Sequence, residues 1–95
     1  MSKKEYKQYL KEFKKRSAKI PWRIYKKIIE KEYGAIEGKR SHSAGSKRSF
    51  TIGDKIVFVI HEPHRKDDYV GKYDHHNILD LLRLNGLMEN EEEKE

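Results

Sequence analysis

The chain reads as a small α+β domain, with helices on one face of a three-stranded antiparallel sheet and an extra N-terminal helix. Three observations predict this. Apolar residues recur at helical spacing in three separate stretches, within 3–16, 21–33 and 74–84. Between the last two lie runs rich in β-branched and aromatic residues, joined by Gly53-Asp54, residue types that hairpin turns favour. A length of 95 residues with 35% apolar content suffices for one small core and no more.

The elements follow in order. Tyr6, Tyr9, Leu10 and Phe13 form the stripe of a first helix over 3–16, with lysines filling the gaps. A stripe made mostly of tyrosine predicts loose docking on the body. It also argues against a membrane-surface role, which needs leucine or tryptophan anchors. Residues 17–20 break the pattern, and Pro21 suits the first turn of a second helix running to Tyr33. Trp22, Ile24, Tyr25, Ile28, Ile29 and Tyr33 give that helix a wide apolar face, and Gly34 is its C-terminal cap. Trp22 is expected in the core and not as a base-stacking platform. Residues 35–39 form a weak first strand, 40–46 a Ser/Gly-rich loop, and 47–52 a second strand. The third strand, 55–61, is apolar on both faces, which predicts a central or well-covered position. A polar loop at 62–73 leads to Asp74, expected to N-cap a last helix through Leu84. Its apolar set is Ile78, Leu79, Leu81, Leu82 and Leu87, with Gly86 near its end. The organisation is thus a basic helical extension at 1–19, a main domain at 20–88, and an acidic, disordered tail at 89–95.

Composition removes whole classes of function. There is no cysteine, which excludes a disulfide scaffold, a thiolate zinc site and a thiol nucleophile. No apolar run reaches the roughly 18–20 residues that span a bilayer, so no membrane partner is expected. The basic N-terminus leads into no apolar stretch, so no signal peptide is read and the expected location is cytoplasmic. Residues 1–48 hold 16 Lys and Arg against 5 acids, a local net of +11, whereas residues 49–95 carry a net of −5. Such asymmetry points to a polyanion on one face, nucleic acid above all, although lysine-rich helices also serve plain solubility.

The stretch 45–64, G-S-K-R-S-F-T-I-G-D-K-I-V-F-V-I-H-E-P-H, carries the chemistry. It opens on a cationic Gly-Ser corner and closes on two histidines around a proline. Imidazole suits proton transfer near neutral pH, and cations beside it suit a phosphate substrate.

This order of elements resembles the HicA (YcfA-like) toxin family. The likeness covers 20–88 and rests on three motifs. They are I-I-E-K-E-Y-G at 28–34, the corner Gly45-Ser46 with Phe50 soon after, and His61-Glu62-Pro63-His64 at the end of the third strand. Tyr73 and Leu-Asn-Gly-Leu at 84–87 follow. The resemblance implies a double-stranded-RNA-binding-domain-like α-β-β-β-α fold. It also implies a metal-independent endoribonuclease that cleaves messenger RNA and is neutralised by a HicB-type antitoxin. In the family's usual corner, Gly-Ser-His, the histidine is the expected catalytic residue; here Lys47 stands in its place. Ser41-His42 offers a rival register, but His42 lacks the preceding glycine, and Phe50 falls correctly only after Lys47.

Cleaving RNA without a metal requires a base for the ribose 2′-hydroxyl, an acid for the leaving oxygen, and cations for the charge growing on phosphorus. His61 and His64 are the candidate base and acid, and Lys47 the catalytic cation. Ser46, Arg48, Arg40, Arg65 and His42 are the candidate RNA-binding residues. The plain alternative is that His64 caps a turn and His61 packs at the strand end. His61, His64, His75 and His76 with Asp67, Asp68 and Asp74 include metal-ligand types. Their spacing matches no closed site, however, so no metal or other cofactor is expected, and His75 and His76 read as ordinary polar positions. Two further readings stand beside the nuclease: a non-catalytic RNA-binding module of the same fold, and a protein-interaction domain with a basic face.

Overall fold

The structure, a computed structural model, describes residues 2–38, 45–65 and 67–89. In chain order its elements are α1 (Lys3–Phe13), α2 (Trp22–Tyr33), β1 (Ile36–Glu37), β2 (Lys47–Ile52), β3 (Ile56–His61) and α3 (Lys72–Leu84). Residues 40–44 of the loop expected at 40–46 and the tail beyond Glu89 lie outside the described residues.

Local chemistry sets the helix ends. Ser2 begins α1 with a capping box: its hydroxyl accepts from the Glu5 N–H at 3.2 Å, and Glu5 accepts from the Ser2 N–H at 3.0 Å. Pro21, whose ring fixes φ near −58°, precedes α2. Gly34 ends that helix at φ +73°, a left-handed turn that lets the Ala35 N–H close on the Ile29 carbonyl at 3.0 Å. The start of α3 corrects the sequence reading. Gly71 stands at the N-cap, and Asp74 lies inside the first turn, where its carboxylate serves a strand edge instead of the helix end.

Both strand pairs are antiparallel in the order β1-β2-β3, and the β2–β3 hairpin runs in register from Lys47↔His61 to Ile52↔Ile56. The expectation that the third strand is central or well covered is therefore wrong: among the described residues β3 is an edge. Its Ile56, Phe58 and Ile60 are buried, while Val57 is 65% and Val59 39% exposed. The two valines that suggested a second covered face lie on the open side of the sheet. On the covered side, Phe50 and Phe58 stack at 5.7 Å and Trp22 packs edge-on to Phe50 at 6.3 Å. Trp22 is thus in the core, with Ile78, Leu79 and Leu82 of α3 completing it.

Residues 68–70 form a short bridge to the start of α2, with Trp22 N–H on the Asp68 carbonyl at 2.9 Å and Val70 N–H on the Ile20 carbonyl at 3.1 Å. This bridge sets where α3 begins relative to β3. Among the described residues no helix is long and apolar enough to cross a membrane.

The first helix is held firmly, against the expectation of loose docking. Phe13 is fully buried, its ring 5.1 Å from Tyr25, 5.6 Å from Tyr33 and 5.3 Å from His75. His75 is likewise no ordinary polar position, being 1% exposed. Its Nε2–H donates to the Lys15 carbonyl at 2.8 Å, so Nδ1 accepts from the Tyr25 hydroxyl, also at 2.8 Å. Burial lowers the pKa of this imidazole, and with both nitrogens satisfied it sits in the core as the neutral form. Its neighbours complete a clasp: His76 donates to the Arg16 carbonyl at 3.0 Å and Arg83 to the Lys14 carbonyl at 3.0 Å. Three α3 side chains thereby hold three successive carbonyls just past the end of α1.

Candidate active site

Hairpin register brings the Gly-Ser corner to the histidine strand. Lys47 and His61 are directly opposed partners, and the next step is closed by Glu62 N–H on the Ser46 carbonyl at 2.8 Å. Because the Glu62 N–H points toward β2, that of His61 points the other way, to the free edge. There Asp74 Oδ2 accepts it at 2.8 Å. A carboxylate thus blunts an otherwise open strand end.

The same carboxylate meets the His61 ring. Nδ1 lies 3.2 Å from Oδ2 and 3.4 Å from Oδ1 of Asp74. An ionised carboxylate only accepts, so Nδ1 carries the hydrogen and the lone pair of the neutral ring is on Nε2. Asp74 is sheltered, with a side chain 19% exposed, whereas that of His61 is 56% exposed. An oriented imidazole that presents a basic nitrogen to solvent beside a lysine is a general-base arrangement.

Arg48 points to the other side of the strand. Its guanidinium lies 2.7 Å from Glu37 and 2.9 Å from Glu62, with all three side chains about one-fifth exposed. The hydrogen bond that Arg48 donates to Glu37, and then the one it donates to Glu62, raises its pKa. Lys26 extends the chain, reaching Glu37 at 3.6 Å and Glu30 at 3.1 Å. Arg48 therefore ties the short β1 and the end of β3 to β2, and a phosphate would have to compete with two carboxylates for it. His64 and Arg65 follow Pro63 on the exposed turn, and neither side chain has a hydrogen-bond or ion-pair partner among the described residues. Arg40 and His42 lie outside the described residues.

The seven metal-ligand types found in the sequence are dispersed. His75 is in the core, His76 is on the Arg16 carbonyl, and Asp67 pairs with Arg23 at 3.1 Å. Among the described residues no three His, Asp or Glu side chains are arranged to hold a metal.

Sequence reasoning placed Lys47, Ser46 and His61 together but missed the role of Asp74. That residue looked like a cap, and no local spacing links it to His61, 13 residues earlier. Only the bridge between 68–70 and the start of α2, which sets the start of α3, brings them together. Asp74 joins the expected base His61 as the group that orients its ring. No protein-family model, curated protein or solved structure matches this chain.

Proposed function

We propose that the chain is a HicA-like, metal-independent endoribonuclease with a double-stranded-RNA-binding-domain-like core, acting on messenger RNA and neutralised by a HicB-type antitoxin. One observation carries the reading: an exposed imidazole oriented by Asp74, directly across the hairpin from Lys47 at the Gly-Ser corner. In this reading His61 Nε2 takes the proton of a ribose 2′-hydroxyl, and the 2′-oxygen attacks the adjacent phosphorus. Lys47 offsets the charge that builds on the phosphoryl oxygens. The bond to the 5′-oxygen breaks, and that oxygen takes a proton from an acid on the 61–65 turn, for which His64 is the candidate. The products are a 2′,3′-cyclic phosphate and a 5′-hydroxyl. Lys47 stands where the resembling family carries its histidine, and here the imidazole comes from its strand partner.

The test is cleavage of end-labelled single-stranded RNA in EDTA by the wild type and by His61→Ala. Loss of a positioned acid–base group lowers the rate by about 10²–10⁴. Asp74→Asn should impair the same step while RNA affinity is kept. A wild type that leaves the RNA intact, or a His61→Ala protein that cleaves at the wild-type rate, overturns the proposal. Lys47 at the histidine position favours a second reading, RNA binding without cleavage, which predicts intact RNA and an affinity that falls steeply with salt.

A further inference from the structure

The groove between α1 and α2 carries four lysines that, among the described residues, no carboxylate pairs with. Lys3 and Lys7 lie one turn apart on α1, and Lys27 and Lys31 one turn apart on α2. Together with Ser2, Tyr6 and Leu10 they line an open groove of ≈ 380 Å³. All four are exposed, and among the described residues none forms an ion pair; the paired lysines are Lys15 and Lys26. The nearby carboxylates are engaged elsewhere, Glu5 in the cap of α1 and Glu32 with the Tyr6 hydroxyl at 3.1 Å. Lys31 reaches across to α1, its Nζ 5.9 Å from the centre of the Tyr6 ring.

Apart from Lys31, which the last turn of α2 and the Tyr6 ring both favour, this arrangement opposes what folding alone favours. Like charges at i and i+4 repel on both helices. Lys3 sits in the first turn of α1, where the helix dipole already presents positive charge. Local rules broken without a structural gain mark a functional surface. An anionic membrane is the poorer occupant, because Tyr6, Tyr9, Leu10 and Phe13 all pack inward and leave α1 no apolar face to insert. Lysine ammoniums on two facing helices suit successive phosphates, and the two hydroxyls in the lining are engaged within the fold, Ser2 by the Glu5 N–H and Tyr6 by Glu32, which leaves base edges unread.

We infer that the α1–α2 groove binds the phosphodiester backbone of single-stranded RNA, as an anchoring site distinct from the Lys47–His61 corner. Naming RNA rests on the endoribonuclease reading; the groove's preference for a polyanion does not.

The test is fluorescence anisotropy with a labelled, uncleavable 2′-O-methyl RNA, titrated with salt, on the full chain and on Lys3→Gln/Lys7→Gln/Lys27→Gln/Lys31→Gln. Each phosphate contact on a single strand adds about 0.7 to the slope of log K against log salt, so losing four flattens it by about 2.8. Affinity at low salt should fall at least tenfold. Because relieved repulsion offsets the loss of the Lys31–Tyr6 contact, helix content by circular dichroism should be unchanged and the urea midpoint close to that of the wild type. An unchanged slope and affinity in the folded variant overturns the inference. So does a variant that keeps RNA affinity but loses binding to phosphatidylserine vesicles. A wild type that binds with the full slope yet never cleaves unmodified RNA refutes the nuclease and leaves the groove standing. Normal cleavage by a variant with an unchanged slope does the reverse.

Discussion

His75 should make the fold acid-sensitive, and the direction follows from its surroundings. Burial holds its pKa below the ordinary histidine value, so in the native state it resists the proton that the unfolded chain accepts. The unfolded chain therefore binds more protons as pH falls below about 6.5, and stability drops with it. The contribution is complete above that pH and lost on the acid side. One proton limits the slope to about 1.4 kcal/mol per pH unit. Truncation is a separate perturbation. His75→Ala strands the Tyr25 hydroxyl and the Lys15 carbonyl, both partnered at 2.8 Å, at about 1–3 kcal/mol each before any cavity is counted. For a domain whose total stability is about 5–15 kcal/mol, that is a large fraction. Urea denaturation of wild type and His75→Gln across pH 5–8 separates the two effects, since glutamine can make hydrogen bonds but does not titrate. The wild-type midpoint should fall faster below pH 6.5, so that the gap between the proteins narrows. Parallel pH profiles would refute the assignment of acid sensitivity to this residue.

Two further outcomes follow from the packing. Phe13→Ala removes the ring that joins α1 to Tyr25, Tyr33 and His75, and should lower stability by about 3–5 kcal/mol in urea melts, with Phe13→Leu losing less. If α1 docked loosely, the alanine variant would melt like the wild type. Arg48→Ala leaves Glu37 and Glu62 facing each other at about one-fifth exposure. It should cost about 1–3 kcal/mol, between the surface and buried cases, and Arg48→Lys should recover only part of that. A denaturation midpoint that Arg48→Ala leaves unmoved would show that the network adds nothing to stability.

The parts of the fold legible in the sequence were those set by local chemistry. Pro21, Gly34, the hairpin turn and the limits of β2 each follow from residues within a turn of the event. What escaped depends on neighbours distant in sequence. Val57 and Val59 carry no mark that distinguishes an open sheet face from a covered one. His75 and His76 look alike in the chain, yet only His75 meets Tyr25, 50 residues away, and becomes core. At the candidate site, the opposition of Lys47 and His61 could be counted from the turn. The Asp74 partnership could not, because it depends on the bridge from 68–70 to the start of α2.

The clasp on the carbonyls of Lys14, Lys15 and Arg16 divides evolutionary freedom unevenly. A carbonyl is the same whatever side chain its residue carries, so positions 14–16 can drift in sequence and still be gripped. The holding side has no such latitude: His75, His76 and Arg83 act through particular donors at particular heights on α3. Among relatives of this chain, the join between the first helix and the body should therefore be traceable in the last helix, while the segment being held varies.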